Sequence, residues 1–480
     1  ILYFILTNVM IYGLGEKTID AFSSFRAILA GASGSVMHLG IGPIVTASIF
    51  MQLFTGAGII KLDLTDDEDK AIYQGTQKVL VLIMIVVEAV PQVYGYLEPS
   101  PTFISRLQSM PVATGKFWAR FFIVVQLFVG SYLVFLMDEV VSKWGIGSGI
   151  SMFIAAGVSQ AIFTGTFNFE KVNASQPLST SNPPSGTALK TYYLTRHLSY
   201  SELVNGGGFE RIFIQQPNPL IALIGTIIIF LIVTYAESSR IELPLTHARV
   251  RGARGRYPIR LIYASNIPVI LMAALLANVN MFALLFYTHP QFKEVPLVGS
   301  NWMIGKYEPG ETSPSAGAAW YVNRINGLHD WLLPLLNKEK YGHYLLGHEV
   351  WHLIIRIIIY VGVMAIGSML FAKFWIQTTN MGPEKVAEQI QSSGMQIPGF
   401  RREPAAMKRV LERFIPAVTE FSGLFVGLLA AGANMIGTVG NTSGTGVLLT
   451  VGIMIRLYEE IGKEQMMEMH PVLRSFFGEE

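Results

Sequence analysis

Apolar runs recur along the chain at roughly 1–14, 41–60, 76–96, 117–138, 149–166, 219–238, 261–287, 351–374, 414–437 and 444–460. A run of about 20 apolar residues is long enough for a helix to cross a hydrocarbon core. Three of these runs open, or nearly open, on small or polar breaks ahead of branched aliphatics: Gly40-Ile41-Gly42-Pro43-Ile44-Val45, Gly145-Ile146-Gly147-Ser148-Gly149-Ile150 and Asn266-Ile267-Pro268-Val269-Ile270. A plain lipid anchor has no use for glycine and proline at matched ends. The pattern therefore predicts an all-α polytopic membrane protein of ten transmembrane helices, arranged around a path. The first run is short and begins at Ile1 without a charged region before it, which places part of the N-terminus upstream.

Composition agrees. A content of 51% hydrophobic against 14% charged residues is more than a globular surface tolerates. The absence of cysteine removes disulfides and thiolate chemistry. Charge informs through its distribution. The connections 61–75, 139–148, 239–260 and 375–413 and the tail 461–480 fall on one side by span parity, and they are compact and basic; Arg240 to Arg260 holds six arginines and one glutamate. The positive-inside rule makes that side, and both termini, cytoplasmic. The acidic stretch Asp63 to Asp69 is an exception of low weight, because acidic residues count little in this rule.

The Ser-, Pro-, Asn- and Gly-rich connection 167–218 divides the chain into a first half, 1–166, and a second half, 219–460, followed by the tail 461–480. Five spans per half make the second half enter with inverted topology, which puts a functional site between the halves near the bilayer midplane. Residues 21–40 are too polar and small to span. They fit either a re-entrant plug lining a cavity or an exterior loop.

Several residues carry candidate chemistry. A charge at a helix centre costs about 2.5–3.5 kcal/mol on insertion scales, so Glu88 in the third run stands out. It would face a polar seam with Thr46 and Asn266, relay protons in a transporter, or partner another helix. Glu420 snorkels from the ninth run to the interface. His348-Glu349-Val350-Trp351-His352 fits the zinc-protease pattern HExxH. It lacks a clear third ligand, and the alternative is an interfacial helix start. The cationic loops around Arg251, Arg254 and Arg256, and around Arg401 and Arg402, suit a phosphate-rich partner, although topology bias alone also produces basic loops. No nucleotide-binding fingerprint occurs, so energy comes from a partner or a gradient. A channel, a secondary transporter using Glu88 and a zinc enzyme all remain open at this point.

The blocks LGIGPIVTASIFMQL (39–53), DEVVSKWGIGSGISMFIAAGVSQAIF (138–163), PIRLIYASNIPVIL (258–271) and GTGVLLTVGIMIRLYEE (444–460) resemble the SecY family of protein-conducting channels in its archaeal and eukaryotic form, and the resemblance covers nearly the whole chain. It implies two pseudo-symmetric halves around a central pore that open like a clamshell, hinged at the connection between spans five and six. A mid-membrane ring would consist of Ile41, Val45, Ile150, Ile154, Ile270 and Leu449. Branched aliphatics in a narrow constriction resist wetting and ion flow. By the same resemblance residues about 23–38 are the plug, and Thr46, Glu88 and Asn266 lie at the lateral gate. The basic-loop residues Arg251, Arg254, Arg256, Arg401 and Arg402 dock on ribosomal RNA. The implied partners are a SecE-type small membrane subunit, a further small subunit, the ribosome, signal-bearing nascent polypeptides and membrane lipids. No cofactor or metal is implied, and the implied location is the cell membrane.

Overall fold

The computed structural model describes residues 2–15, 29–56, 58–62, 66–110, 113–145, 147–173, 175–247, 254–264, 266–288, 304–308, 313–379, 381–392, 395–396, 404–440 and 442–469. A helix stands on each of the ten apolar runs: α1 (Leu2–Thr7), α2 (Gly42–Gly56), α3 (Asp67–Gly95), α4 (Gly115–Trp144), α5 (Gly149–Phe167), α6 (Leu220–Ser238), α7 (Ile267–Thr288), α8 (Val350–Thr378), α9 (Pro404–Ile436) and α10 (Gly444–Met469). Among the described residues seven of them, α3 to α9, are long and apolar enough to cross a membrane by themselves, whereas α2 has 15 residues.

The first run departs from the expected 1–14, because α1 ends at Thr7. Thr7 Oγ1 and the Asn8 amide both donate to Phe4 O, at 2.9 and 2.8 Å, and occupy the carbonyl that a further turn would need. The strand-like residues that follow pair elsewhere: Ile11 N donates to Gly34 O and Val36 N to Val9 O. Helices α3, α9 and α10 extend beyond their apolar runs, and the added turns are polar.

α8 and α9 pack along their length, and glycines make this possible. A Cβ on Gly427 would lie 2.5 Å from Met364 O, and one on Gly423 would lie 2.8 Å from the Met369 backbone. Close approach through small residues is how helices gain contact where lipid supplies no hydrophobic drive. The first five helices meet the last five through α2 against α7 and α8, and through α5 against α10. One large apolar cluster runs through both halves, and a smaller one around Tyr263, Ala372 and Leu411 lies within the second.

Past Ser239, the described parts of the cationic connection 239–260 are strands. β1 (Arg240–His247) and β2 (Arg254–Arg260) form an antiparallel hairpin, with Arg240 opposite Arg260. A two-stranded piece, β3 (Lys306–Tyr307) with β4 (Pro314–Ala316), lies before α8, and β5 (Met395–Gln396) joins the free edge of β1. The connection between the halves folds into short helices over Thr187–His197, Tyr200–Val204 and Gly208–Phe213. Lys190, buried on the first of these, donates to Gln215 O at 2.5 Å and Pro217 O at 3.1 Å. Burial pulls its ammonium down to about 8.

Candidate functional site

Two of the three breaks solve a local steric problem with glycine, and the third carries a polar anchor. Gly40 has φ +57, and a Cβ there would strike Leu29 O at 2.1 Å. This lets Ile41 N donate to Leu29 O at 2.8 Å at the entry of α2. Between α4 and α5, Asp138 Oδ1 accepts from Ile150 N at 2.8 Å, and a Cβ on Gly149 would sit 2.6 Å from that oxygen. At α7 the break carries Asn266, whose Nδ2 donates to Glu237 Oε1 of α6 at 2.7 Å.

Ile41, Val45, Ile154, Ile270 and Leu449 are all buried, and they belong to the large apolar cluster against which the partly exposed Ile150 packs. They come from α2 and its approach, α5, α7 and α10. The described part of the expected plug, 29–38, lies on this cluster. Leu29, Ala30 and Met37 are buried in it, and Tyr3 Oη donates to Ala30 O at 3.1 Å. Residues 23–28 lie outside the described residues.

A polar seam interrupts the apolar packing between α2, α3 and α7. Thr46 Oγ1 donates to Gly42 O at 2.9 Å and accepts from Asn278 Nδ2 at 2.8 Å. Glu88, 3% exposed, lies beside Thr46 and close over Gly42, whose Cβ would be 3.0 Å from its Oε2; Glu88 Oε1 has no hydrogen-bond partner among the described residues. One turn further along α3, Gln92 Nε2 reaches Met281 Sδ of α7 at 3.8 Å. The sequence placed Asn266 in this seam with Thr46 and Glu88. The structure brings Thr46 and Glu88 together but holds Asn266 about 18 Å along α7 from Asn278, at 1.5 Å per residue. Asn278 is the residue that sequence reasoning passed over, and the signal was there: an asparagine inside an apolar run, as conspicuous as Glu88.

Other candidates fall elsewhere. Glu420 pairs with Lys373 of α8 at 2.8 Å. His348 precedes α8, with Glu349 at its N-cap, so the two histidines do not share a helical face as a zinc protease requires. His348 Nε2 lies 2.8 Å from Ser315 O and its ring stacks on Trp320, while the Lys338 ammonium, 2.9 Å away, holds Glu349 below the usual carboxylate range. The motif is a helix start. Arg251, Arg401 and Arg402 lie outside the described residues, and of Arg254 and Arg256 only the backbone of β2 is described.

The arrangement defines a class: a helical membrane protein whose two halves share one apolar core, with a polar seam between α2, α3 and α7. The chain belongs to the SecY family, since the SecY family model matches residues 35–458 and the model of the plug domain of Sec61p matches residues 1–34. That plug match overlaps the expected 23–38 at its N-terminal part. It is 42% identical to the protein translocase subunit SecY of Archaeoglobus fulgidus and 43% identical to that of Halobacterium salinarum, covering 100% of this chain and 92% of each relative. Among solved structures it resembles one described as the structure of a protein conducting channel, with a TM-score of 0.75 at 37% identity, covering 98% of this chain and 91% of that one. It also resembles Sec61 in the canine ribosome-channel complex from the endoplasmic reticulum, with a TM-score of 0.72, the same identity and the same coverage. The family is one of multi-pass protein-conducting membrane channels, not of enzymes or proton-coupled carriers, and this chain is a channel subunit of that kind.

Proposed function

We propose that unfolded polypeptide passes through a ring formed by Ile41, Val45, Ile150, Ile154, Ile270 and Leu449, or leaves sideways between α2–α3 and α7–α8 into lipid. Supporting this reading, five of these aliphatics, from four elements, are buried in one apolar cluster and Ile150 packs against it, together with Leu29, Ala30, Met37 and Leu39 of the preceding segment. Side chains without hydrogen-bonding groups give a sliding chain nothing to adhere to, and a narrow apolar neck sheds water and ions. Ten spans in two inverted halves, with both termini cytoplasmic, fit the ten helices and the basic connections. Residues 23–38 act as the plug.

The lateral gate is closed by Thr46 and Glu88, completed by Asn278. Asn266 acts on the same gate helix from its other end, holding α7 to α6. Replacing Glu88 by Gln shifts gating and leaves conduction in place. The hairpin bearing Arg254 and Arg256, with Arg251, Arg401 and Arg402, presents cations to ribosomal RNA; the canine relative, which is 37% identical, comes from a ribosome-channel complex. A SecE-type small subunit clasps the halves and a further small subunit joins it. The deciding experiment crosslinks an arrested nascent chain from a photoreactive residue at position 154. Strong adducts at 154, with none from lipid-facing Ile228, support the path; the reverse pattern removes it.

A further inference from the structure

Residues 9–15, which follow α1, are paired on both edges. On one edge Met10 stands opposite Ser35 in an antiparallel bridge, flanked by Ile11 N donating to Gly34 O at 2.9 Å and Val36 N donating to Val9 O at 2.8 Å. On the other, Gly15 N donates to Glu98 O and Ser100 N to Gly13 O, both at 2.9 Å. The first edge matters for function, because 34–36 is the C-terminal end of the segment 23–38.

Two residues of α4, one turn apart, close on this bridge. Gln126 Oε1 accepts from Tyr12 N at 2.8 Å, and its Nε2 donates to Tyr12 O at 3.1 Å and to Phe122 O of its own helix at 3.2 Å. The side-chain amide thus meets the backbone of residue 12 as a neighbouring strand would. Tyr12 is held further by its hydroxyl, which accepts from Arg106 Nη1 at 2.9 Å, and by its ring, edge-on to Phe103. A Cβ on Gly130 would fall 1.9 Å from Val36 O and 2.6 Å from Val36 Cγ1, so the lack of a side chain seats residue 36 directly on the helix. Residues four apart share one helix face, and together they hold 9–12 and 34–36 against α4 as one body. A glutamine is costly in an apolar span, and this one is matched to backbone partners.

We propose that Gln126 and Gly130 are positioning residues that keep 34–36 fixed on α4 while the channel opens, so that opening leaves the Met10–Ser35 bridge intact and a displaced plug stays tethered for its return. A short tether keeps a displaced segment at an effective concentration on the order of millimolar, which favours reclosure over escape. The inference rests on the reading of 23–38 as the plug and adds a fixed end to it.

The chain has no cysteine, which makes a disulfide test clean. Met10 and Ser35 are a non-hydrogen-bonded pair, a geometry with Cα atoms about 4.5 Å apart and within a disulfide's reach. In membrane vesicles carrying the assembled channel, the double variant Met10→Cys, Ser35→Cys should translocate a secretory reporter equally well oxidised and reduced. Translocation lost on oxidation and restored by reductant would mean that 34–36 must leave, and overturns the proposal; a disulfide that does not form in the folded protein removes the bridge itself. In planar bilayers Gln126→Leu, which deletes both bonds to Tyr12 and keeps the bulk, should raise ion-conducting openings at least about fivefold, the scale of two lost neutral hydrogen bonds. Deletion of 23–38, run alongside, separates the two readings. If the deletion leaks and Gln126→Leu is as silent as the wild type, the plug stands and the anchor falls; a silent deletion removes the plug and the anchor with it. Where Gln126→Leu does not fold, the disulfide arm decides by itself.

Discussion

Asn278 Nδ2 donates to Thr46 Oγ1 over 2.8 Å, and this bond joins α7 of the second half to α2 of the first. Interhelical hydrogen bonds in membranes average about 0.6 kcal/mol and reach about 1.7. Asn278→Ala therefore raises the population with separated α2 and α7 roughly three- to twentyfold. Disulfide crosslinking between cysteines introduced on facing positions of α2 and α7 measures it, as a fall in yield. An unchanged yield would mean that apolar packing alone holds the seam.

The neck should fail when its aliphatics shrink. Ile150→Gly and Ile270→Ser together remove two branched side chains, each worth about 1.5–3 kcal/mol when fully buried. Single-channel recording in planar bilayers should then find frequent ion-conducting openings where the wild type is silent. Deletion of 23–38 should do the same by removing the cover. Silent recordings from both variants would detach leak resistance from these residues.

Much of this was legible in the sequence because bilayers simplify the code. A long apolar run has few alternatives to a helix, and a glycine at matched breaks announces a close approach, as at Gly40 and Gly149. What was not legible depended on register between distant helices. The choice between Asn266 and Asn278 rests on which turn of α7 faces Thr46, and no local property of either asparagine states that. The six-residue α1 was hidden because hydropathy does not register Thr7 and Asn8 closing on Phe4 O. The hairpin of β1 and β2 was hidden by an arginine- and glycine-rich composition that also suits an irregular loop.

Lys190 makes stability depend on pH. Its ammonium is held at about 8 in the folded chain and returns to the ordinary 10.5 when unfolded. Between those values the unfolded chain binds more protons, so stability rises with pH across this window; below about 8 the full cost of burying the ammonium is present. The span is on the order of 3 kcal/mol at most. Lys190→Met should flatten the rise between pH 8 and 10.5 in urea unfolding of the solubilised protein, and a slope identical to the wild type would assign the effect to other groups.

Glu349 is the general base that an HExxH enzyme requires, yet it stands at the N-terminal boundary of α8 and pairs with exposed Lys338. Glu349→Gln should leave translocation of a reporter into vesicles unchanged, and purified wild-type protein should carry less than about a tenth of an equivalent of zinc, against the full equivalent of a structural or catalytic site. Stoichiometric metal lost on substituting His348 would reinstate the enzyme.

Gly452 of α10 lies against the Asn266–Glu237 pair so closely that a Cβ would fall 1.9 Å from Asn266 Nδ2 and 2.5 Å from Glu237 Oε1, the two ends of one buried hydrogen bond. Gly452→Ala cannot keep that bond as it stands. Overpacking costs about 1–3 kcal/mol and a buried acceptor left without its donor about the same again, so a loss of roughly 2–6 kcal/mol is expected. Asn266→Ala empties the space the new methyl needs. The double variant should therefore be less destabilised than the sum of the two single changes, by about 0.5–3 kcal/mol of coupling. Thermal unfolding of all four proteins reads this directly. Additive losses would mean that α6, α7 and α10 are not locked at this point, and that Asn266 has no hold on the gate helix.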